Sequence, residues 1–376
     1  MPSSSPQKRW QRNNVVKPSP PLLDTLATLL RTKNGAIQDY LEWLQARFES
    51  IESEVLAFLP EVKRFDRLRE EAEELIHQYP EPEVRPLVFG LPIGVKDIFH
   101  VNGFKTHAGS NLPPNVIDGD QAMCVSALRA AGGLVLGKTV TTEFAYFAPG
   151  PTRNPHRPMH TPGGSSSGSA AAVAAGLAPL ALGTQTIGSI NRPAAFCGTV
   201  GYKPTYARIS VQGVIPLSPS LDHIGYFTPD AASAAWIAPL LVDDWNQVDL
   251  EEKNLRLVIP TGPYMDNAEP AALEQFEADC KLLQAAGHTV LELTVMDNFD
   301  SIVEYHNLIL AVDAAKVHES WFDSYTEQYH PKTSDLIRRG RTISADDYKK
   351  ALRGREETRL TLTQLMEEND IDLWIT

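Results

Sequence analysis

The chain has 376 residues, of which 43% are hydrophobic and 22% are charged, a balance typical of a globular protein and unlike that of a disordered or fibrous one. Its 47 acidic residues outnumber its 34 basic residues, which gives a formal net charge of −13. This charge argues against a broad nucleic-acid surface, because neutralising phosphates requires clustered Lys and Arg. The composition therefore favours a small-molecule partner and no nucleic acid.

The cysteines and the apolar runs bear on the cellular compartment. Cys124, Cys197 and Cys280 are odd in number and widely spaced, which predicts neither a disulfide framework nor a zinc site. The sequence has no uninterrupted apolar run of membrane-spanning length and no secretory signal core. We therefore expect a cytoplasmic protein with no membrane partner, and the sequence leaves a homodimer open.

The N-terminal quarter of the chain is predicted to be helical. Residues 1–20 are expected to be a disordered tail, although the basic, Ser- and Pro-containing residues 1–23 leave a targeting segment as an alternative. Residues 21–82 repeat apolar side chains at helical spacing, as in Tyr40, Leu41 and Leu44. This segment is predicted to form two or three amphipathic helices.

The remaining residues, 83–376, are predicted to form one α/β domain. Short apolar strands first alternate with Gly-rich turns and Ala-rich helical stretches. The later predicted elements are strands over Leu255–Ile259 and Val290–Val295, and helices over Pro270–Ala286, Ser301–Val317 and Ala345–Glu367. An apolar strand over Asp370–Thr376 ends the sequence with no cap or polar tail, so we expect this domain to be truncated at its C-terminus.

Three segments combine small residues with polar side chains in a way that a plain hydrophobic core does not require. Lys96 ends the apolar run that starts at Gly90, and the other two segments are Pro162–Ser169 and Gly183–Pro193. Taken singly, a Gly/Ser tract is often a linker and a lone lysine is often a surface charge. The tract is also unlike a phosphate-binding loop, because it lacks the Gly-Lys-Ser/Thr ending.

Taken together, these segments resemble the amidase signature family. Ser165 follows Lys96 by 69 positions, and Ser189 follows Ser165 by 24, both within the family's range. The motifs that carry the resemblance are Gly94–Asp97, Gly137–Thr139 with Glu143 and Phe144, Asn154-Pro155, Gly163–Ala172, Gly183–Pro193, Gly198, Gly201–Thr205 and Ser220–Gly225. The resemblance is strong from about Leu87 to Pro229 and general beyond.

The resemblance implies a Ser-Ser-Lys catalytic set with Ser189 as nucleophile, Ser165 as the bridging serine after a cis peptide bond, and Lys96 as base. A serine hydroxyl is a weak nucleophile until a neighbour takes its proton, which a neutral lysine can do through a relay. For that, the pKa of Lys96 must fall about three units below its reference value, a shift that burial can supply. The resemblance further implies an oxyanion hole of backbone N–H groups from Thr186, Ile187, Gly188 and Ser189, and substrate contacts from Gly164, Ser166 and Arg192.

The nucleophile segment departs from the family pattern at three positions. The usual run before the nucleophile is Gly-Thr-Asp-Thr-Gly-Gly-Ser, whereas this chain has Gln185 for the Asp and Ile187 for the first Gly of the pair. Asn191 replaces an Arg, so the Asp and Arg losses are interpreted as one coordinated exchange that leaves no unpaired buried charge. A β-branched residue at position 187 is strained if the backbone there needs a positive φ.

Four further side chains have alternative interpretations. Arg192 resembles the arginine with which malonamate-type amidases of the family hold a substrate carboxylate, but pairing with a buried acid of the fold is an equal alternative. His223 is interpreted as a hydrogen-bonding residue of a turn or core, Asp97 as a residue that positions local backbone, and Cys197 as a core residue.

The sequence thus predicts a mixed β-sheet between α-helices, with an N-terminal helical layer. The resemblance implies an enzyme that hydrolyses a small carboxamide to a carboxylate and ammonia or an amine through an acyl-enzyme, with no cofactor and no metal. Two alternatives stay open. One is a glutaminase-type subunit of a tRNA-dependent amidotransferase, and the other is a catalytically silent binding protein of the same fold.

Overall fold

A computed structural model describes residues 22–246 and 254–376. The predicted tail, residues 1–20, and most of the candidate targeting segment lie outside the described residues. The chain divides into two compact units. The first comprises the chain up to Trp245 together with Ser320–Ser334, and the second comprises Asn246–Glu319 and Asp335–Thr376.

The described residues form eight strands and twelve α-helices. The strands are β1 (Pro92–Lys96), β2 (Leu134–Thr139), β3 (Leu180–Gln185), β4 (Val200–Tyr202), β5 (His223–Thr228), β6 (Arg256–Thr261), β7 (Thr289–Thr294) and β8 (Leu373–Trp374). The helices are α1 (Leu23–Thr32), α2 (Ala36–Val55), α3 (Arg64–Gln78), α4 (Met123–Ala130), α5 (Ser167–Ala174), α6 (Asn191–Cys197), α7 (Ala231–Leu241), α8 (Pro270–Ala285), α9 (Phe299–Val317), α10 (Glu319–Tyr325), α11 (Pro331–Thr342) and α12 (Ala345–Glu368).

The first unit is built on a mixed five-stranded sheet of order β2-β1-β3-β5-β4. Strands β2, β1 and β3 are parallel, whereas β5 is antiparallel to both β3 and β4. The strands β1, β2 and β3 are buried along their whole length, as expected for parallel strands covered on both faces. The carboxyl ends of β1 and β3 therefore deliver Lys96 and Gln185 to the same edge of the sheet.

Helix α5 packs against this sheet at very short range because its residues are small. Its sequence, SGSAAAVA, is buried over Ser167–Val173. A Cβ on Gly168 would lie 2.2 Å from the carbonyl oxygen of Ala57 and 2.3 Å from the nitrogen of Val140, so only glycine fits there. This close packing fixes the start of α5 and with it the Gly/Ser segment that precedes the helix.

The second unit has a parallel three-stranded sheet of order β7-β6-β8. Helix α9 packs along α12 in the same unit. The predicted strand over 370–376 is shorter in the structure, because Asp370 has a φ of 49° and the N–H of Ile371 still donates to the carbonyl of Met366 at the end of α12. Only Leu373–Trp374 is regular strand.

The predicted fold class is confirmed: the chain is α/β, with a mixed sheet packed between helices. Within residues 22–246 and 254–376, we find no helix with the length and apolar character needed to cross a membrane.

Candidate active site

Lys96 is a completely buried lysine at the end of β1. Its Nζ lies 2.8 Å from Ser165 Oγ and 2.8 Å from Thr184 Oγ1. The two hydroxyls come from the segment before α5 and from β3, so three separate parts of the fold meet at this amine. Thr184 was not singled out by sequence reasoning, although it lies within the Gly183–Pro193 motif.

The environment of Lys96 favours a neutral amine. Burial lowers the pKa of Lys96 to about 7, because desolvation disfavours the charged form. The carboxylate of Asp222 raises this pKa and the guanidinium of Arg192 lowers it, but both effects are smaller than that of burial. A substantial fraction of Lys96 is thus unprotonated near neutral pH and can accept a proton.

Ser165 and Ser166 are held by backbone contacts on either side. The peptide bond between Gly164 and Ser165 is cis, as the resemblance implies. The N–H of Thr142 donates to the carbonyl of Ser165 at 3.2 Å. The Ser166 hydroxyl is fully buried and donates to the carbonyl of Thr184 at 3.2 Å, which ties this segment to β3. Ser166 is therefore engaged with the protein backbone.

Ser189 lies on the short loop between β3 and α6. Gln185 organises this loop, because its Oε1 accepts the N–H groups of Ile190 at 2.8 Å and Asn191 at 3.0 Å. Within the described residues, the Ser189 hydroxyl makes no hydrogen bond, and the backbone N–H groups of residues 186–189 donate to no other atom. The structure therefore brings Lys96 and Ser165 into direct contact, whereas the hydroxyls of Ser165 and Ser189 are not hydrogen-bonded to each other.

The concern about strain at Ile187 is wrong, because Ile187 does not adopt a positive φ. Its side chain is 39% exposed, so the isoleucine is accommodated at the surface of the loop. The amide oxygen of Gln185 accepts two N–H groups without needing a negative charge. Asn191 is exposed, and no hydrogen bond joins the side chains of Gln185 and Asn191.

Arg192 makes a two-pronged contact with the segment that carries Ser165. Its Nε and Nη2 donate to the carbonyl oxygen of Gly164 at 3.0 and 2.7 Å. On the other side, its guanidinium carbon lies 6.0 Å from the ring centre of Phe147, which is 43% exposed. Arg192 forms no ion pair with an acid of the described residues. The guanidinium edge with Nε and Nη2 holds the Gly164 carbonyl, whereas Nη1 lies near Gly188 and makes no hydrogen bond to a described residue.

Asp222, just before β5, contacts the loop between β3 and α6 through the side chain of Thr186. Its Oδ1 accepts the Thr186 hydroxyl at 2.5 Å, and its Oδ2 accepts the N–H groups of Leu217 at 2.9 Å and Ser218 at 3.0 Å. Burial raises the pKa of Asp222 to about 6, against the opposing effects of these hydrogen bonds and of Lys96. The sequence contained Asp222 in a family motif but gave no sign of its contact with Thr186.

Three other singled-out residues lie beside the site. Asp97 accepts the N–H of His107 through Oδ2 at 3.0 Å and pairs with Lys138. The Nδ1 of His223 lies 2.7 Å from the carbonyl of Leu221, and Cys197 is buried. Across residues 22–246 and 254–376, His, Cys, Asp and Glu do not assemble in groups of three or more that could hold a metal ion.

Comparison with protein families settles which family this arrangement belongs to. The model of the Amidase family matches residues 39–376, which is most of the chain. The chain belongs to the amidase family. The resemblance drawn from the motifs is thereby confirmed, as is, at the level of the family, the prediction of an enzyme acting on amide carbon–nitrogen bonds.

Curated relatives include subunits of amidotransferases. The chain is 30% identical over 336 residues to a glutamyl-tRNA(Gln) amidotransferase subunit of Koribacter versatilis (strain Ellin345), an alignment covering 84% of this chain and 69% of the relative. It is 32% identical over 325 residues to the protein of the same name from Geobacillus kaustophilus (strain HTA426), covering 81% of this chain and 66% of the relative. The chain thus spans about two thirds of the length of these relatives.

Solved structures of amidases share the fold. A crystal structure described as an amidase superposes with a TM-score of 0.80 at 31% identity, over 91% of this chain and 78% of that one. The peptide amidase of Stenotrophomonas maltophilia gives a TM-score of 0.73 at 26% identity, over 88% of this chain and 77% of that one.

Proposed function

We propose that this chain hydrolyses a small carboxamide to a carboxylate and ammonia or an amine, through an acyl-enzyme on Ser189. The observation that carries the proposal is the buried Lys96 amine, 2.8 Å from the Ser165 hydroxyl and with a pKa lowered to about 7. Burying a lysine costs stability, and strongly shifted pKa values are concentrated at functional sites, so the position of Lys96 favours a catalytic role.

In the acylation step, the Ser165 hydroxyl gives its proton to the neutral Nζ of Lys96 and takes the proton of Ser189. The Ser189 Oγ then forms a bond to the carbonyl carbon of the amide, and the carbonyl oxygen becomes negatively charged. The structure shows the Lys96–Ser165 contact, and the Ser165–Ser189 contact is expected to tighten when substrate binds, as is common in free enzymes.

The charge on the substrate oxygen is stabilised by the unbonded N–H groups of the loop. Residues 186–189 offer four successive backbone donors with no competing partner among the described residues. Such preorganised donors need little rearrangement during the reaction. Collapse of the intermediate breaks the C–N bond, and the proton held by Lys96 returns through Ser165 to the leaving nitrogen. Water then hydrolyses the ester of Ser189 by the same relay.

A fluorophosphonate probe tests this proposal without knowledge of the natural substrate. The probe forms a covalent bond with an activated serine, so the wild-type chain is expected to be labelled at Ser189, as shown by peptide mass spectrometry. Ser189→Ala should abolish labelling, whereas Ser126→Ala, a serine on exposed surface of the same unit, should leave it intact. A folded wild-type chain that is not labelled would contradict the proposal and favour a silent binding protein.

We further propose that Arg192 contributes to a subsite for a substrate carboxylate. Its free Nη1 lies beside Gly188, next to the nucleophile, while the opposite edge is held by Gly164. Arg192→Leu is expected to lower kcat for all amides, because Gly164 loses two hydrogen bonds. It should also raise KM about ten- to a hundredfold for an amide that bears a carboxylate, relative to its methyl ester, because one charge-assisted hydrogen bond is lost. Equal KM changes for the acid and the ester would mean that Arg192 only positions Gly164 and does not bind the substrate carboxylate.

A second candidate function is favoured by the curated relatives, which are named as amidotransferase subunits. In that case the amide is glutamine and the ammonia passes to a partner subunit. Measuring ammonia release from glutamine, with and without co-expressed partner subunits, separates the candidates. Release of ammonia from glutamine only in the presence of partner subunits would favour the amidotransferase, and turnover of small amides by the chain alone would favour the first proposal.

A further inference from the structure

Asp222 connects two parts of the site that are separate in the sequence. Through Oδ1 it holds the hydroxyl of Thr186 at 2.5 Å, and through Oδ2 it is fixed by the N–H groups of Leu217 and Ser218. Its carboxylate is also the acidic group whose charge acts on Lys96. One side chain therefore contacts the loop of the nucleophile and influences the charge of the base.

The contact with Thr186 anchors the start of the loop that carries the free N–H groups. At the other end of the loop, Gln185 Oε1 holds the N–H groups of Ile190 and Asn191. Between these two anchors, the carbonyl of Gly188 accepts the N–H of Arg192 at 2.9 Å, and no hydrogen bond is made by Ile187 within the described residues. The direction of the N–H groups at Ile187 therefore depends on the anchors on either side. Loss of the first anchor would allow these donors to move, and a shift of about 1 Å in a catalytic group can cost about a hundredfold in rate.

The charge of Asp222 has a separate effect. In the part of the chain that the structure describes, the charges that act on Lys96 are Asp222, which favours its protonated form, and Arg192, which disfavours it. The carboxylate itself is surrounded by uncharged donors from Thr186, Leu217 and Ser218, and Lys96 is the cation that acts on it. Neutralising Asp222 therefore removes the opposing charge and leaves burial and Arg192, both of which favour neutral Lys96.

We propose that Asp222 is a positioning residue: its Oδ1 fixes Thr186 and so directs the N–H groups of residues 186–189, and its carboxylate supplies the acidic charge that acts on Lys96. The inference rests on the proposed amide hydrolysis and adds a residue that acts through Thr186 and Lys96 and does not touch the substrate.

The experiment measures the second-order rate constant for fluorophosphonate labelling of Ser189 between pH 5 and 9 in three variants of the full chain. Asp222→Asn keeps the size of the side chain and removes its charge. The low-pH side of its rate profile (the acid limb) is expected to lie at a lower pH than that of the wild type, because neutral Lys96 persists to lower pH. Thr186→Val removes the hydroxyl and keeps the charge, and should lower the rate constant at least about tenfold without moving the limb. Thr186→Ser restores the hydroxyl and should recover most of the lost rate.

These outcomes separate the inference from the function on which it rests. An Asp222→Asn limb at the wild-type pH, or a Thr186→Val chain that is labelled as fast as wild type, overturns the inference while leaving amide hydrolysis intact. A wild-type chain that is not labelled contradicts both. If Asp222→Asn does not fold, as judged by circular dichroism, the pair Thr186→Val and Thr186→Ser still decides: equal rates for the two overturn it, and recovery only by serine supports it.

Discussion

Replacing Lys96 with methionine or alanine is expected to lower kcat about a thousandfold or more, because Lys96 is the group within residues 22–246 and 254–376 that contacts the Ser165 hydroxyl and can take its proton. In the wild type, kcat/KM should rise with pH through about 7, the pKa of Lys96, since only the neutral amine accepts a proton. Steady-state kinetics on a primary amide between pH 5 and 9 measure both effects. A wild-type rate in Lys96→Met would show that the base lies elsewhere.

The same lysine makes a prediction about stability, with a definite sign. The pKa of Lys96 is lower in the folded chain than in the unfolded chain, so the unfolded state binds more protons between about pH 7 and pH 10. The free energy of unfolding of the wild type should therefore increase across this window relative to Lys96→Met. Urea unfolding of the two chains at pH 7 and pH 9 tests this, and methionine is the matched control because it fills the same volume without a titrating group.

The motifs singled out Lys96, Ser165 and Ser189, and the structure places Lys96 in contact with Ser165. The catalytic roles of the three residues stay a prediction. The helices of the N-terminal segment were predictable as well, since their apolar spacing is local. By contrast, the contact of Thr184 with Lys96 depends on the pairing of β1 and β3, which are separated by more than eighty residues. Local patterns do not specify such a contact.

Asp222 and Ile187 show two further features that could not be predicted from the sequence. The contact between Asp222 and Thr186 requires the antiparallel register of β3 and β5, in which Gln185 lies opposite His223. At Ile187, the inference of strain assumed that a glycine position of the family needs glycine geometry. The backbone at Ile187 has no positive φ, so isoleucine is accommodated.

The division into two units was also not visible in the sequence. Residues 320–334 belong to the first unit although the residues on both sides belong to the second. Within the first unit, Glu143 accepts the N–H of His330 at 3.0 Å and contacts the hydroxyl of Thr333, while Phe144 stacks on Tyr329. These long-range contacts assign the segment to the first unit, and no composition change marks its boundaries.

A buried ion pair next to Lys96 leads to the largest expected effect on stability. Lys138 Nζ lies 2.8 Å from Asp97 Oδ1, and both side chains are almost completely buried. Lys138 also donates to the carbonyl of Phe99 at 2.7 Å and to Thr106 Oγ1 at 3.1 Å, so polar groups of the fold surround its ammonium. Lys138→Met should lower the free energy of unfolding by about 3–5 kcal/mol, because it leaves the Asp97 carboxylate buried without its counter-charge.

A double-mutant cycle distinguishes loss of the pair from loss of packing. Lys138→Met combined with Asp97→Asn should cost less than the sum of the two single changes, because no unpaired charge remains. Lys105→Met, the same substitution at an exposed lysine of the first unit, should change the free energy of unfolding by no more than about 0.5 kcal/mol. Strictly additive effects in the cycle would show that the pair does not stabilise the fold as a pair.

The ion pair should act on the reaction through geometry alone. Asp97 directly follows Lys96, yet the charges that act on Lys96 are those of Asp222 and Arg192. The acid limb of Ser189 labelling in Lys138→Met should therefore stay at the wild-type pH, even if the rate constant falls because the end of β1 moves. A shifted limb would mean that Asp97, once unpaired, raises the pKa of Lys96, and that the ion pair is what shields the base from its neighbour in the sequence.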